Sequence, residues 1–381
     1  MNKLWPSVSA IIPHYNNPEG LDLLLHAIAA QNYDGEIEVI VADDGSDVVP
    51  HPVIPGLEIR VVAQQDQGFR AAAARNLGAS AARGEILAFL DGDTVPRPGY
   101  LRAAVGQVVV DGRTVVVGTR VHGDGQEPEW LRQAWSQTEN LAKADDSSWR
   151  FVISAVLTCS RRFFEDIGGF DGSMVGYGGE DWEFAWRCWN HGALLWHEES
   201  AVADHREEDW GGRQTDAESA AADKNVETIA LASRVTHPLA RPDGGIFNVA
   251  DIEVSLDPAG WPSGVFETVA LEWLALGDVH IVTPATSALF ASDPRVHASS
   301  RGARFQITLY APAFPSATAD IRAADQQEPL TLRFTTTDRR ILAHASSARG
   351  RALEAPVTDC PADEWTIVEE PIRLERRFAG W

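Results

Sequence analysis

The chain opens with short apolar runs separated by stretches in which apolar residues recur every three or four positions. That is the pattern of strands alternating with amphipathic helices. Val8 to Pro13, Glu36 to Ala42, Leu57 to Ala63 and Glu85 to Leu90 predict four strands. Gly20 to Ala30, with Leu21, Leu24, Leu25 and Ile28 on one face, predicts a helix, as does the alanine-rich Gly68 to Ala82. Such alternation implies right-handed crossovers and a mostly parallel sheet. Ligands on such sheets bind beyond the carboxyl ends of the strands. Three polar loops fall there, His14 to Asn17, Asp43 to Asp47 and Asp91 to Asp93, and they are expected to converge.

From Gly99 to Arg150 the periodicity loosens, leaving a β-rich run over Val108 to Thr119 and a helix over Trp130 to Ala144. Ser154 to Cys159 reads as a strand and Arg161 to Asp166 as a short helix stopped at Gly168-Gly169. The turn Gly176-Tyr177-Gly178-Gly179 then opens a helix from Trp182 to His191. Leu194 to His197 is a further short strand, and Ala201 to Asp209 carries His205.

A polar helix over Asp216 to Arg234 leads into His237-Pro238 and Arg241-Pro242-Asp243-Gly244-Gly245, which reads as a domain boundary. The expected organisation is an α/β domain over residues 1–240 and a smaller α+β domain over 245–381. In the latter, Ile252 to Leu256, a helix ending at Leu276 and Val279 to Val282 repeat the opening strand-loop-helix-strand order. Pro262 and Gly264 fall where Pro18 and Gly20 do. The segment reads either as a degenerate βαβ copy used for packing, homodimerisation or acceptor recognition, or as an unrelated α+β module.

Composition narrows the function classes. A formal net charge of −23 over 381 residues argues against nucleic acid or anionic membrane as a general partner. A nucleotide substrate stays compatible, because a bound metal and a few arginines reverse the sign locally. No apolar run reaches the ~20 residues of a membrane helix. Met1 to Pro6 has no signal-peptide form. Cys159, Cys188 and Cys360 are too scattered for a disulfide framework or zinc site. The expectation is a cytoplasmic protein without a membrane span.

The most informative chemistry is Asp91-Gly92-Asp93, set at the mouth of the fourth strand. Two carboxylates two residues apart suit a hard divalent cation, Mn²⁺ or Mg²⁺, which binds through one or two carboxylates plus substrate phosphates. Asp43-Asp44 follow the second strand, where carboxylates accept hydrogen bonds from a base and ribose. Glu180-Asp181 open a helix, where the N-terminus favours an ionised carboxylate.

Together these residues resemble the family 2 glycosyltransferases of GT-A fold. The matching stretches are Ser9-Ala10-Ile11-Ile12-Pro13-His14-Tyr15-Asn16, Val41-Ala42-Asp43-Asp44-Gly45-Ser46, Gly68-Phe69-Arg70 through Ala74-Arg75-Asn76, and Asp91-Gly92-Asp93. Ile167-Gly168-Gly169-Phe170-Asp171 and Gly178-Gly179-Glu180-Asp181 resemble the acceptor motifs, the latter of galactosyltransferase type. The resemblance implies donor contacts from Pro13, Tyr15, Asn16, Asp43, Asp44, Arg75, Asp91 and Gly92. It implies metal binding by Asp93, Asp91 and His205, with Asp181 as catalytic base and Glu180 orienting the acceptor. It further implies a nucleotide-sugar donor, UDP-linked for preference, and a glycan or small-molecule acceptor. Tyr177, Trp182 and Trp186 offer rings for stacking, with Trp186 suited to the core. The Gln-x-x-Arg-Trp run of processive membrane synthases is missing, which argues against polymer extrusion. A nucleotidyltransferase is the alternative, although Pro13-His14-Tyr15-Asn16-Asn17 lacks that class's Gly-rich basic loop. A non-catalytic sugar-binding protein is the other.

Overall fold

The computed structural model describes residues 5–176, 178–206, 217–318, 321–322 and 329–379. Tyr177 and the stretch 207–216 lie outside these. The chain forms two compact units, residues 1–189 with 193–230, and residues 190–192 with 231–381. They divide inside a helix, ahead of the Arg241–Gly245 stretch. That stretch is anchored in the second unit by the buried Arg241, which donates to Ala232 O, Val249 O and Asp278 Oδ2.

The first unit is built on strands β1 (Val8–His14), β2 (Ile37–Asp43), β3 (Glu58–Ala63), β4 (Ile86–Leu90), β5 (Thr94–Pro96), β6 (Thr114–Val121), β7 (Val156–Ser160) and β8 (Leu194–His205). Their order across the sheet is β3-β2-β1-β4-β7-β6-β8-β5. β1 pairs in parallel with β2 and β4, while β7 runs antiparallel to both β4 and β6. The sheet is therefore mostly parallel, the architecture that the resemblance implied. β1, β2 and β4 are buried along almost their whole length, as expected of strands covered on both faces.

Helices α1 (Pro18–Ala29), α2 (Ala71–Ala81), α3 (Tyr100–Val108), α4 (Glu129–Thr138), α5 (Arg161–Asp166), α6 (Glu180–Asn190) and α7 (Ala217–Arg234) complete this region. α1 begins where it does because the Asn17 side chain accepts from Gly20 N and Pro18 supplies a preset φ.

Three local features differ from the sequence pattern. α3 occupies the stretch where periodicity loosened; its inward residues are Tyr100, Leu101, Ala104, Val105 and Val108. α4 ends at Thr138 because Glu139, Asn140 and Leu141 all take positive φ. The short strand predicted over Leu194–His197 continues to His205 as one strand, β8, whose register with β6 shifts at Gly118/Thr119.

The second unit contains β9 (Ile252–Ser255), α8 (Val265–Ala275), β10 (Val279–Val282), β11 (Val296–His297), β12 (Phe305–Leu309), β13 (Ala313–Pro315), β14 (Thr331–Thr335) and β15 (Ile341–Ser347). Helix α9 (Ala348–Ala352) and strands β16 (Thr358–Pro361) and β17 (Trp365–Ile367) follow. Its main sheet has the order β11-β10-β9-β12-β15-β14-β16, with β13 and β17 forming a separate pair. A core around Val254, Val269, Trp273, Ile281 and Phe305 is its own.

Candidate active site

The carboxyl ends of β1, β2 and β4 meet as the loop pattern predicted, and a cleft opens over them. Its first half, about 370 Å³, is lined by Pro13, Tyr15, Asp44, Arg75, Asp91, Gly92, Asp93 and His205. The second, about 480 Å³, is lined by Ser154, Glu180, Asp181, Trp130 and Trp182 among others. Phe69, Arg75, Asp91 and Arg120 line both halves. The two halves thus meet at these four residues.

Arg75, on α2, is only 3% exposed. It donates through Nη2 to Asp91 Oδ1 at 2.7 Å and through Nη1 to Glu180 Oε1 at 3.0 Å. Burial penalises its charge, but Asp91, Glu180 and Asp181 outweigh that and raise its pKa. One guanidinium thereby ties the β4 loop to the start of α6. This is a buried ionic bridge, so removing its cation would strand two carboxylates.

Asp181 accepts from Ser154 Oγ at 2.5 Å. Burial, and next the neighbouring Glu180 carboxylate, lift its pKa to about 7, against the pull of Arg75 and the Ser154 hydroxyl. The side chain lines the cleft. A carboxylate that titrates near neutrality is suited to taking a proton at physiological pH.

Asp93 and His205 meet where β5 pairs with β8, with Thr94 opposite His205. His205 Nε2 lies 3.2 Å from Asp93 Oδ2, and its Nδ1 faces His122 Nδ1 at 3.3 Å. Ligands in cis positions about 2.1 Å from an octahedral ion lie about 3 Å apart, so this pair fits one edge of such a site. Asp91, held by Arg75, stands beside it. Among the described residues, no three His, Cys, Asp or Glu side chains are gathered into a cage.

Asp43 and Asp44 take different places in the structure. Asp44 lines the cleft and is held by Arg70 N and Gln64 Nε2. Asp43 is fully buried and accepts from Gly45 N, Ser46 N and Ser46 Oγ. It is not among the lining residues, so its part here is to hold the loop. Gly45 has φ 91, and a Cβ there would come within 2.3 Å of Asp66 N, so only glycine fits. Asn16 likewise joins loops, donating from its N to Ser46 Oγ and accepting from Asp47 N.

Trp182 lines the second half beside Trp130, while Trp186 is buried. Tyr177 lies outside the described residues. Sequence reading missed Ser154 and Arg120. Arg120 sits on β6 with its backbone N donating to the buried Glu127, which also accepts from Trp135 Nε1. No local motif marks either residue; only the sheet order brings them to the cleft.

Residues 9–168 match the family model "Glycosyl transferase family 2". The chain is 28% identical to hyaluronan synthase of Pasteurella multocida, over 60% of this chain and 27% of that protein. It is 26% identical to chondroitin synthase of Escherichia coli, over 60% of this chain and 38% of that protein. It is 31% identical to pre-mycofactocin glycosyltransferase of Mycobacterium tuberculosis, over 54% and 45%. The matches thus take in less than half the length of each of these relatives. Among solved structures, S. aureus TarS 1-349 in complex with UDP-GlcNAc is similar with a TM-score of 0.45 and 15% identity, covering 61% of this chain and 68% of that one. No helix among the described residues is long and apolar enough to cross a membrane.

Proposed function

Residues 9–168 are a family 2 glycosyltransferase domain, and from that premise we propose that the chain moves a sugar from a nucleotide-diphospho-sugar to an acceptor hydroxyl, with inversion. The observation that supports this most is the joined cleft, with Asp93 and His205 in one half, Asp181 in the other and Arg75 clamped between. The donor, UDP-linked by preference, lies in the first half with its base toward Asp44. The acceptor, a glycan or small molecule, enters the second half beside Trp130 and Trp182.

Transfer is a single displacement. The acceptor oxygen forms its bond to the anomeric carbon while Asp181 takes its proton. The bond from that carbon to the diphosphate oxygen breaks, and both electrons leave with the diphosphate. Asp93 and His205 would hold a divalent ion, Mn²⁺ or Mg²⁺, whose chemistry is to stabilise the departing negative charge. Arg120, at the junction of the two halves, faces the same charge; guanidinium matches phosphate oxygens in a two-pronged geometry. Arg75 is a positioning residue, fixing Glu180 and Asp91. Donor chemistry lies wholly in the first unit, and three scattered cysteines fit a reducing, cytoplasmic location.

The test is Asp181→Asn. Nucleotide affinity in the presence of Mn²⁺ should be retained, and the transfer rate should fall by roughly 10²–10⁴-fold, the usual worth of a placed base. Loss of nucleotide binding instead would move Asp181 into the donor half and leave Glu180 as the base.

A further inference from the structure

The second unit has no assigned role, yet its topology retraces that of the first. Across its sheet the first unit runs β3-β2-β1-β4-β7-β6-β8, with the short β5 at the edge, and the second unit's main sheet runs β11-β10-β9-β12-β15-β14-β16, with β13 and β17 as a separate pair. Replacing β1, β2, β3 and β4 by β9, β10, β11 and β12, and β6, β7 and β8 by β14, β15 and β16, turns one order into the other. The directions agree too. β9 is parallel to β10 and β12, β15 is antiparallel to β12 and β14, and β14 is parallel to β16.

The register is preserved in detail. Val8 pairs with Ile37 and Ile86, and Ile252 pairs with Val279 and Phe305. Ser160 ends β7 and caps α5, donor Phe163 N; Ser347 ends β15 and caps α9, donor Gly350 N. The short β5 pairs antiparallel with the end of β8, and the short β13 pairs antiparallel with β17. Even the bond from Arg206 N to Asp93 O has its counterpart, from Val368 N to Pro312 O.

This register shows which residues replaced the chemistry. Counting from Ile86 and Phe305, Asp91-Gly92-Asp93 becomes Tyr310-Ala311-Pro312. His205, opposite Thr94, becomes Ile367, opposite Ala313. Asp43-Asp44 become Ala285-Thr286, counted from Ile37 and Val279. The span that carries α2 and Arg75 shrinks to the helix-free residues 298–304. The span 167–193, which carries Glu180 and Asp181, shrinks to 353–357. Each loss falls on a ligand-binding loop or a helix over the cleft, while the sheet that those loops crown is kept with its own core.

We propose that residues 231–381 are a second copy of the transferase fold emptied of donor, metal and base chemistry, so that each chain carries one donor site and transfers through one centre. The inference rests on the proposed function for its first site and adds that no second site accompanies it. Tyr, Pro and Ile at the three metal positions offer no carboxylate or imidazole, and a divalent ion of this class takes oxygen or nitrogen ligands.

The experiment is calorimetric titration of the full chain with UDP and, separately, GDP, each with Mn²⁺, together with the Asp93→Asn chain. We expect one nucleotide bound per chain for whichever nucleotide binds, and at least a tenfold loss of that affinity in Asp93→Asn with no residual site. Two nucleotides per chain, or one still bound at undiminished affinity in Asp93→Asn, would overturn the inference. A wild-type chain that binds neither nucleotide would sink the transferase reading instead, and with it this count. Back-replacement of Tyr310 and Pro312 by Asp provides a separate control. Because Ile367 and the missing α2 and α6 counterparts remain, the double variant should still bind one nucleotide per chain. A gain to two would show that the second copy is intact apart from its metal loop.

Discussion

Replacing Asp181 by Asn should make the protein more stable at alkaline pH while disabling it. Asp181 is lifted from its ordinary 3.8 to about 7 by burial and by Glu180. A carboxyl raised in the folded state favours folding while protonated, and that advantage is lost as pH climbs from the unfolded value through the folded one. Between about pH 4 and 7 the native chain therefore holds a proton that the unfolded chain has released; above 7 the full penalty of an ionised, crowded carboxylate applies. At 1.36 kcal/mol per pH unit the ceiling is about 4 kcal/mol. Water reaching the carboxylate along the cleft cuts this to about 1–2 kcal/mol. Asn keeps the shape and can still accept from Ser154. Thermal unfolding of wild type and Asp181→Asn at pH 8 and pH 5 should show the variant melting higher at pH 8, by about 2–4 °C per kcal/mol for a unit of this size. The gap should narrow toward pH 4. A variant that melts lower at pH 8, or whose gap ignores pH, would refute the view that Asp181 carries an under-compensated charge.

Ser154→Ala removes the hydroxyl that lowers Asp181, so the rising limb of the transfer pH profile should move to higher pH; an unmoved limb contradicts that coupling. Arg75→Gln leaves Asp91 and Glu180 without their shared cation and should cost about 3 kcal/mol in denaturant unfolding, the low end for a buried pair because Asp91 is part exposed. A loss under 1 kcal/mol would make the bridge dispensable. Arg120→Gln should weaken binding of a nucleoside diphosphate by about tenfold to a hundredfold, the worth of a charge-assisted hydrogen bond, and leave the monophosphate unchanged. Equal losses for both nucleotides would place Arg120 away from the outer phosphate.

The parts of the molecule legible in sequence were those whose signal is local. β1, β2 and β4 are buried on both faces, so their apolar runs are uninterrupted, and the polar loops that follow them stand out. The helix α3 was obscured because its small residues, Ala103, Ala104 and Gly106, dilute the apolar stripe that Tyr100, Leu101, Val105 and Val108 form. What sequence could not supply was partnership across distance. Arg75 and Glu180 meet over 105 positions because β7 lies beside β4. Ser154, just before β7, reaches Asp181 by the same adjacency. The bonds that tie Asp43 into its own loop were equally invisible, because residue type can be read from sequence and side-chain direction cannot. In the second unit only the opening βαβ kept recognisable residues. The remaining correspondence is carried by strand order and register, which survive when side chains change.

The central claim is that the Asp93–His205 half of the cleft activates a nucleotide-sugar for transfer. Its most direct test is release of nucleoside diphosphate from a panel of UDP- and GDP-sugars, with and without Mn²⁺, by wild type and by Asp93→Asn. The account predicts metal-dependent release from at least one donor by the wild-type chain, even slowly to water, and its disappearance in the variant. Release that is indifferent to both metal and Asp93, or none from any donor by a chain that also fails to bind the nucleotides, would contradict it.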